Sequence, residues 1–338
     1  MSLSGRLRKL MVPVQVVVSV AILYLLFRNV DLAETWKILS QVDVPVLLLS
    51  VVFFLLSSFA IGFGLHSALK SSDAAPSMYT TQMANFGGQL LSDITPAKSG
   101  YFATPVLLNQ LKGVPMEKGF MSVMSVGAVN FFIKAAFSAT ALIYFLNRIT
   151  VDATMTNAML LGITILAAGG VGLTVIVWTN YFSGLLLKLT KLPLVGGLVK
   201  KLYEMRSMFD KDKIGMRKAA KFIVLSVIAS ITFSGISLFI LAQSMALTQP
   251  TFLDLLFMGP LTAVFMYVPV TFAGLGLQEA AYVFLLTNIG APIEIALPFA
   301  ILIRVLAITT DLIGLPPLIK TSTGLFKRLD KTKNKQQK

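Results

Sequence analysis

The stretch Val44–Leu69 contains no Asp, Glu, Lys or Arg, and it is one of six long apolar runs in this chain. A helix needs about 20 apolar residues to cross the hydrocarbon core of a bilayer. Runs of that length constrain the fold more than any motif does. Backbone groups in lipid must be satisfied internally, so such a chain crosses as helices. The six expected spans are Met11–Phe27, Val44–Leu69, Gly119–Leu146, Ala158–Trp178, Phe222–Met245 and Glu294–Ile319. Long runs in place of alternation argue against an outer-membrane-type barrel. Composition points the same way: 56% of residues are hydrophobic and 13% charged, against about 25% charged in soluble domains. The absence of cysteine excludes disulfide scaffolds and thiolate metal sites, and the single histidine, His66, argues against an imidazole cluster. The expectation is an all-α polytopic membrane protein with no metal, no cofactor and no catalytic residue.

Arg6, Arg8 and Lys9 precede the first span in the manner of a signal peptide. No small-residue cleavage site follows, and Arg28-Asn29-Val30 comes directly after, so the segment reads as a retained anchor.

Two further stretches are apolar but interrupted. Met78–Lys112 contains Asp93, Pro96, Lys98, Gly100 and Pro105. Phe252–Ile289 contains Pro260, Pro269, Gly274, Gly276 and Glu279. Each reads as a re-entrant pair of helices broken by a Pro/Gly turn. Broken backbone at membrane depth is tolerated where it is buried in protein or lines a wet cavity.

The net charge of +14 would suggest nucleic acid on a soluble chain, but here position decides. With both broken pairs returning to the side they entered from, 23 of the 29 Lys and Arg residues fall on one side. Arg28, Lys37 and Arg148 fall on the other, and Lys98, Lys134 and Arg304 lie within membrane segments. By the positive-inside rule both termini are cytoplasmic in a plasma-membrane protein that binds no nucleic acid. In the loop 180–221, leucines alternate with lysines, as in helices lying in an anionic interface. The tail 321–338 is basic and suits anionic headgroups.

The chain also resembles itself. Gly113-Val114-Pro115-Met116-Glu117 recurs as Gly290-Ala291-Pro292-Ile293-Glu294, each time after a broken pair and before a full span. Pro96 and Gly100 answer to Pro269 and Gly274 or Gly276. The halves, about 10–147 and 157–319 of a single membrane domain 1–320, start on opposite sides. Inverted repeats with interrupted helices at matching positions are a transporter signature, with the binding site between the breaks.

Charge inside a bilayer costs at least about 2.5–3.5 kcal/mol per residue on insertion scales. Six such residues are candidates for binding a headgroup: Asp93, Lys98, Lys134, Glu279, Arg304 and Asp311. They can also neutralise one another, with Glu279 facing Arg304 and Lys134 facing Asp311. Ser226, Ser230, Ser234 and Ser237 form a stripe on the fifth span, and Gly169, Gly170 and Gly172 lie on the fourth. Small residues of this kind usually let helices approach closely. His66 reads as an interfacial residue.

Ile94-Thr95-Pro96-Ala97-Lys98-Ser99-Gly100, then Val268-Pro269 through Gly274-Leu275-Gly276-Leu277-Gln278-Glu279, then Ile303-Arg304, resemble the lysylphosphatidylglycerol synthase transmembrane, or flippase-like, family. The resemblance covers roughly residues 10 to 320. It implies a polytopic protein, sometimes fused to an aminoacyl-transferase domain that this sequence lacks, and associated with moving a lipid between leaflets. It matches Pro96, Lys98, Gly100, Pro269, Gly274, Gly276, Glu279 and Arg304 to the family's two blocks. Archaeal relatives are linked to polyprenyl-phosphate sugar carriers. Tyr101 stands where the family's first block carries an acid, which suggests a divergent subgroup.

The function expected is translocation of an anionic or polyprenyl-phosphate lipid through a polar cavity between the breaks. The alternatives are a membrane-embedded lipid-modifying or glycolipid-pathway enzyme, or an accessory subunit of a lipid-modifying or glycosyl transferase. No nucleotide-binding motif is present, and Asp93, Glu279 and Asp311 are too scattered to suggest a metal-holding acid pair.

Overall fold

A computed structural model of the chain describes residues 3–28, 30–151, 153–178, 213–268 and 270–321. Among these residues the fold is all helical. Its helices are α1 (Leu3–Phe27), α2 (Leu32–Ser40), α3 (Val44–Ser71), α4 (Met78–Asp93), α5 (Thr104–Lys112), α6 (Met116–Leu146), α7 (Ala153–Trp178), α8 (Lys213–Ser244), α9 (Phe252–Ala263), α10 (Leu277–Asn288) and α11 (Ile293–Asp311). Five are long and apolar enough to cross a membrane: α3, α6, α7, α8 and α11, the last continuing through a 3₁₀ turn to Thr321. The described apolar part of α1, Pro13–Phe27, is shorter. At about 1.5 Å per residue the 28 residues of α3 measure about 42 Å, enough to span with tilt. Most of the 180–221 loop, the whole 322–338 tail and Pro269 lie outside the described residues.

The most extensive helix–helix interface joins α3 to α8. Ser50 Oγ meets Ser237 Oγ at 3.0 Å, Ser57 Oγ meets Ser230 Oγ at 2.9 Å, and a Cβ on Gly64 would strike Ser226. Partners descend α8 as they climb α3, so the two run antiparallel with small residues at their seam. Lipid gives no hydrophobic drive for helix association, so close van der Waals packing and such hydroxyl bonds hold the pair. Leu48, Val52, Phe59 and Phe63 of α3 turn outward, as a lipid-facing surface requires. Gly169 and Gly170 likewise pack under Phe131 and Phe132, while Gly172 has open space beside it.

Both broken pairs are re-entrant. The first leaves the end of α3 and returns to it: Lys118, at the start of α6, donates to the Ser72 carbonyl at 2.5 Å. Exposed Lys70, Lys112, Arg217 and Lys218 gather at this end. The opposite end is built around Asp254 at the start of α9. Asp254 completes a capping box with Thr251, pairs with Arg148 at 3.0 Å and accepts from Tyr144. The Gly-x-Pro-x-Glu repeats occupy matching places in the two halves. Gly113 (φ 68°) and Gly290 (φ 96°) close the broken pairs, and Pro115 and Pro292 cap α6 and α11. Glu117 and Glu294 then sit in the first turns, where the helix dipole favours acids.

Packing divides into two clusters. One surrounds the first broken pair, using the early halves of α6 and α8; the other surrounds the second, using their later halves. The two clusters meet along the middle of α6, where Val129, Ile133 and Phe137 pack on the first and Phe131 and Ala135 on the second. Short α2 was not expected from sequence. Asp31 caps it by accepting from the Ala33 and Glu34 N–H groups, and Trp36 projects outward.

Candidate functional site

The two breaks meet each other at the centre of the molecule. In the first, α4 ends at Asp93 and a 3₁₀ segment, Pro96–Ala103, leads into α5. Hydroxyls satisfy the freed backbone. Ser92 donates to the Lys98 carbonyl at 3.0 Å, and Thr95 accepts from the Gly100 N–H at 2.7 Å and donates to the Leu91 carbonyl at 2.9 Å. Lys98 has a φ of 58°, uncommon for a residue with a Cβ. Gly100 lies so close to α4 that a Cβ there would fall 2.3 Å from the Leu91 carbonyl.

The second break runs through two 3₁₀ turns, Val264–Tyr267 and Phe272–Gly274, before α10. Ala273 repeats the left-handed conformation of Lys98, with φ 52°. Gly276, at φ 87°, takes a conformation L residues avoid and abuts Ile22 of α1. Ser19 of α1 accepts the Phe272 N–H at 3.0 Å. The Glu279 carboxylate accepts the Gly276 N–H at 2.7 Å and pairs through its other oxygen with Arg304 Nε. The Arg304 guanidinium also reaches the carbonyls of Ala273 and Gly274. This arginine therefore braces the break as well as neutralising Glu279.

A cavity of about 260 Å³ opens where the breaks come together with the middles of α6 and α8. Of the six charged candidates, Asp93, Lys98, Lys134, Arg304 and Asp311 line it. Glu279 is buried behind Arg304 and is not on its wall. The expected pairing of Glu279 with Arg304 is present. The expected pairing of Lys134 with Asp311 is not. Asp311 instead adjoins Asp93, whose Oδ1 holds Lys98 Nζ at 2.5 Å. The packing of the end of α11 against α4, which helical spacing does not encode, puts the carboxylates side by side. Lys134 makes no ion pair or hydrogen bond to any described residue. The helix-break residues Pro96, Gly100, Gly274 and Gly276 shape the turns and do not face the cavity.

Sequence reasoning missed much of the wall. Ser57 and Ser58 of α3, Gln89 of α4 and Tyr267 of the second break all line it. Asn130 stands one turn from Lys134, on the same face of α6. Ser230 and Ser234 belong to the stripe read as packing; Ser230 both packs on Ser57 and faces the cavity. A signal existed in the adjacent hydroxyls Ser57-Ser58 in mid-span, where lipid exposure would leave them unsatisfied. His66 is engaged with Thr81 Oγ1 at 3.2 Å and helps hold α4 against α3.

A family model described as the lysylphosphatidylglycerol synthase TM region matches residues 12–314. No curated protein and no solved structure matches the chain.

Proposed function

Because the chain belongs to the lysylphosphatidylglycerol synthase TM region family, a family of membrane proteins in lipid-related pathways, we propose that it is a lipid translocase. It moves a lipid with an anionic or phosphate-linked headgroup between leaflets through the central cavity, and polyprenyl-phosphate lipids fall within that class. In this reading the chain is a transporter, not an enzyme. It sits in the plasma membrane with both termini cytoplasmic, an orientation supported by the basic residues gathered at one end of the bundle.

The observation that carries the reading is Lys134. It lies 12 residues from the nearer end of α6, about 18 Å at 1.5 Å per residue, too deep to snorkel fully. It faces the cavity without a partner among the described residues. An unneutralised cation at that depth is costly. A passing phosphate would supply its counter-ion, helped by the hydroxyls and amides on the same wall.

The experiment is exchange of acyl-labelled fluorescent phosphatidylglycerol between leaflets of reconstituted vesicles, read by dithionite quenching. Lys134→Met should unfold in detergent at the same temperature as the parent or higher, because it removes a buried charge. It should slow exchange by about tenfold or more, the loss expected for one charge-assisted contact. A Lys134→Met protein that exchanges lipid at the parental rate contradicts the assignment.

A further inference from the structure

We infer that Asp93 and Asp311 share a proton site linked to the occupancy of Lys98, so that an anionic headgroup crosses the membrane together with a proton. The inference rests on the translocase reading above and adds its energy source.

It begins with hydrogen-bond accounting. Asp93 uses Oδ1 to hold Lys98. Its Oδ2 and Asp311 Oδ1 are buried and have no donor. The two carboxyl groups line the same cavity where the end of α11 packs on α4, and they adjoin one another. Ionised carboxylates only accept, so two of them in contact leave both oxygens unsatisfied and repel. One proton held between them turns two orphan acceptors into a single O–H···O bond.

Among the described residues no other donor reaches these two oxygens. Lys98 is committed to Asp93 Oδ1, Tyr101 donates to Asn85 and Arg304 is engaged with Glu279. The second break presents Tyr267, α10 presents Tyr282 and α6 presents Lys134 to the same cavity. The lining residues of α3, α8 and α9 include no titratable group.

The charge balance then fixes the coupling. At rest the cluster holds two carboxyl groups, one shared proton and one ammonium, and is neutral. A headgroup monoanion that takes Lys98 strips Asp93 Oδ1 of its cation. Asp93 then takes one proton from the aqueous side, and cluster plus anion is neutral again. On release the anion leaves Lys98, the added proton leaves Asp93, and the ion pair re-forms. No covalent bond within the lipid is made or broken, and one proton travels with each negative charge.

The test uses the full chain in phosphatidylcholine vesicles with acyl-labelled phosphatidylglycerol, valinomycin and equal potassium on both sides. With a pH difference imposed, the label should collect in the leaflet facing the alkaline side, by about tenfold per pH unit at equilibrium. Exchange that stays symmetric under the gradient overturns the coupling and leaves the translocase reading standing. Absence of any exchange overturns both. A second measurement needs no lipid probe: at neutral pH the infrared spectrum should show a protonated carboxyl C=O band that Asp311→Asn abolishes. A parental protein without that band, or a band that survives in Asp311→Asn, overturns the shared proton.

Discussion

Arg304→Ala is expected to destabilise the protein by about 3–5 kcal/mol, the loss typical of breaking a buried pair from one side. The Glu279 side chain is 3% exposed and off the cavity wall, so it has no water to fall back on. Truncation would leave the Glu279 carboxylate buried without its cation and the carbonyls of Ala273 and Gly274 without their donor. Arg304→Lys keeps the charge but not the planar fork that spans a carboxylate and two carbonyls, so it should recover only part of the loss. Reversible unfolding by steric trapping in bicelles measures both. An Arg304→Ala protein of parental stability would show that the arginine does not brace the break. Lys134→Met differs in kind: Arg304 is built into the protein, whereas Lys134 has no partner among the described residues and is the cation proposed to meet the headgroup.

Gly100→Ala carries the second large effect. Its Cβ would lie 2.3 Å from both the carbonyl carbon and oxygen of Leu91 and 2.6 Å from the Ser92 nitrogen. These are backbone atoms in the last turn of α4, so no side chain can swing aside. Overpacking typically costs about 1–3 kcal/mol and occasionally more; a clash with backbone places this change at about 3 kcal/mol or above. The 3₁₀ segment would have to move off α4 and draw Lys98 from Asp93. The expected result is a lowered melting temperature in detergent together with slower leaflet exchange. An unchanged melting temperature would contradict the close approach of the two segments.

The membrane class was legible because lipid enforces it: apolar runs such as Val44–Leu69 admit one kind of structure. Both helix breaks were legible for the same reason, since Pro96, Gly274 and Gly276 cannot sit inside an unbroken helix without cost. The Glu279–Arg304 pair was readable from a break and the span that follows it. The neighbours of Asp311 were not. Periodicity tells which face of α11 it occupies, but its partner comes from the tip of the opposite hairpin, more than 200 positions away in the chain. Lys134 was recognised as a candidate while its isolation was not, because isolation is a property of everything that surrounds it. The serine stripe was half read: Ser226 and Ser237 pack, whereas Ser230 and Ser234 also face the cavity. Helix α2 escaped notice because nine residues with one apolar face give little signal beside the spans.

In the proposed translocation a lipid headgroup passes through the cavity between the breaks. The chain contains no cysteine, so a single one can be placed on the wall without competition. Ser234→Cys puts a thiol on α8 facing the cavity. Modification by a sulfonate-bearing methanethiosulfonate would fill the space and add a negative charge to the cavity that Lys134 lines. Exchange of labelled phosphatidylglycerol should stop on modification and return to its starting rate when the mixed disulfide is reduced, which separates blockage from misfolding. Complete modification of Cys at this position with no change in exchange would show that the lipid takes another route.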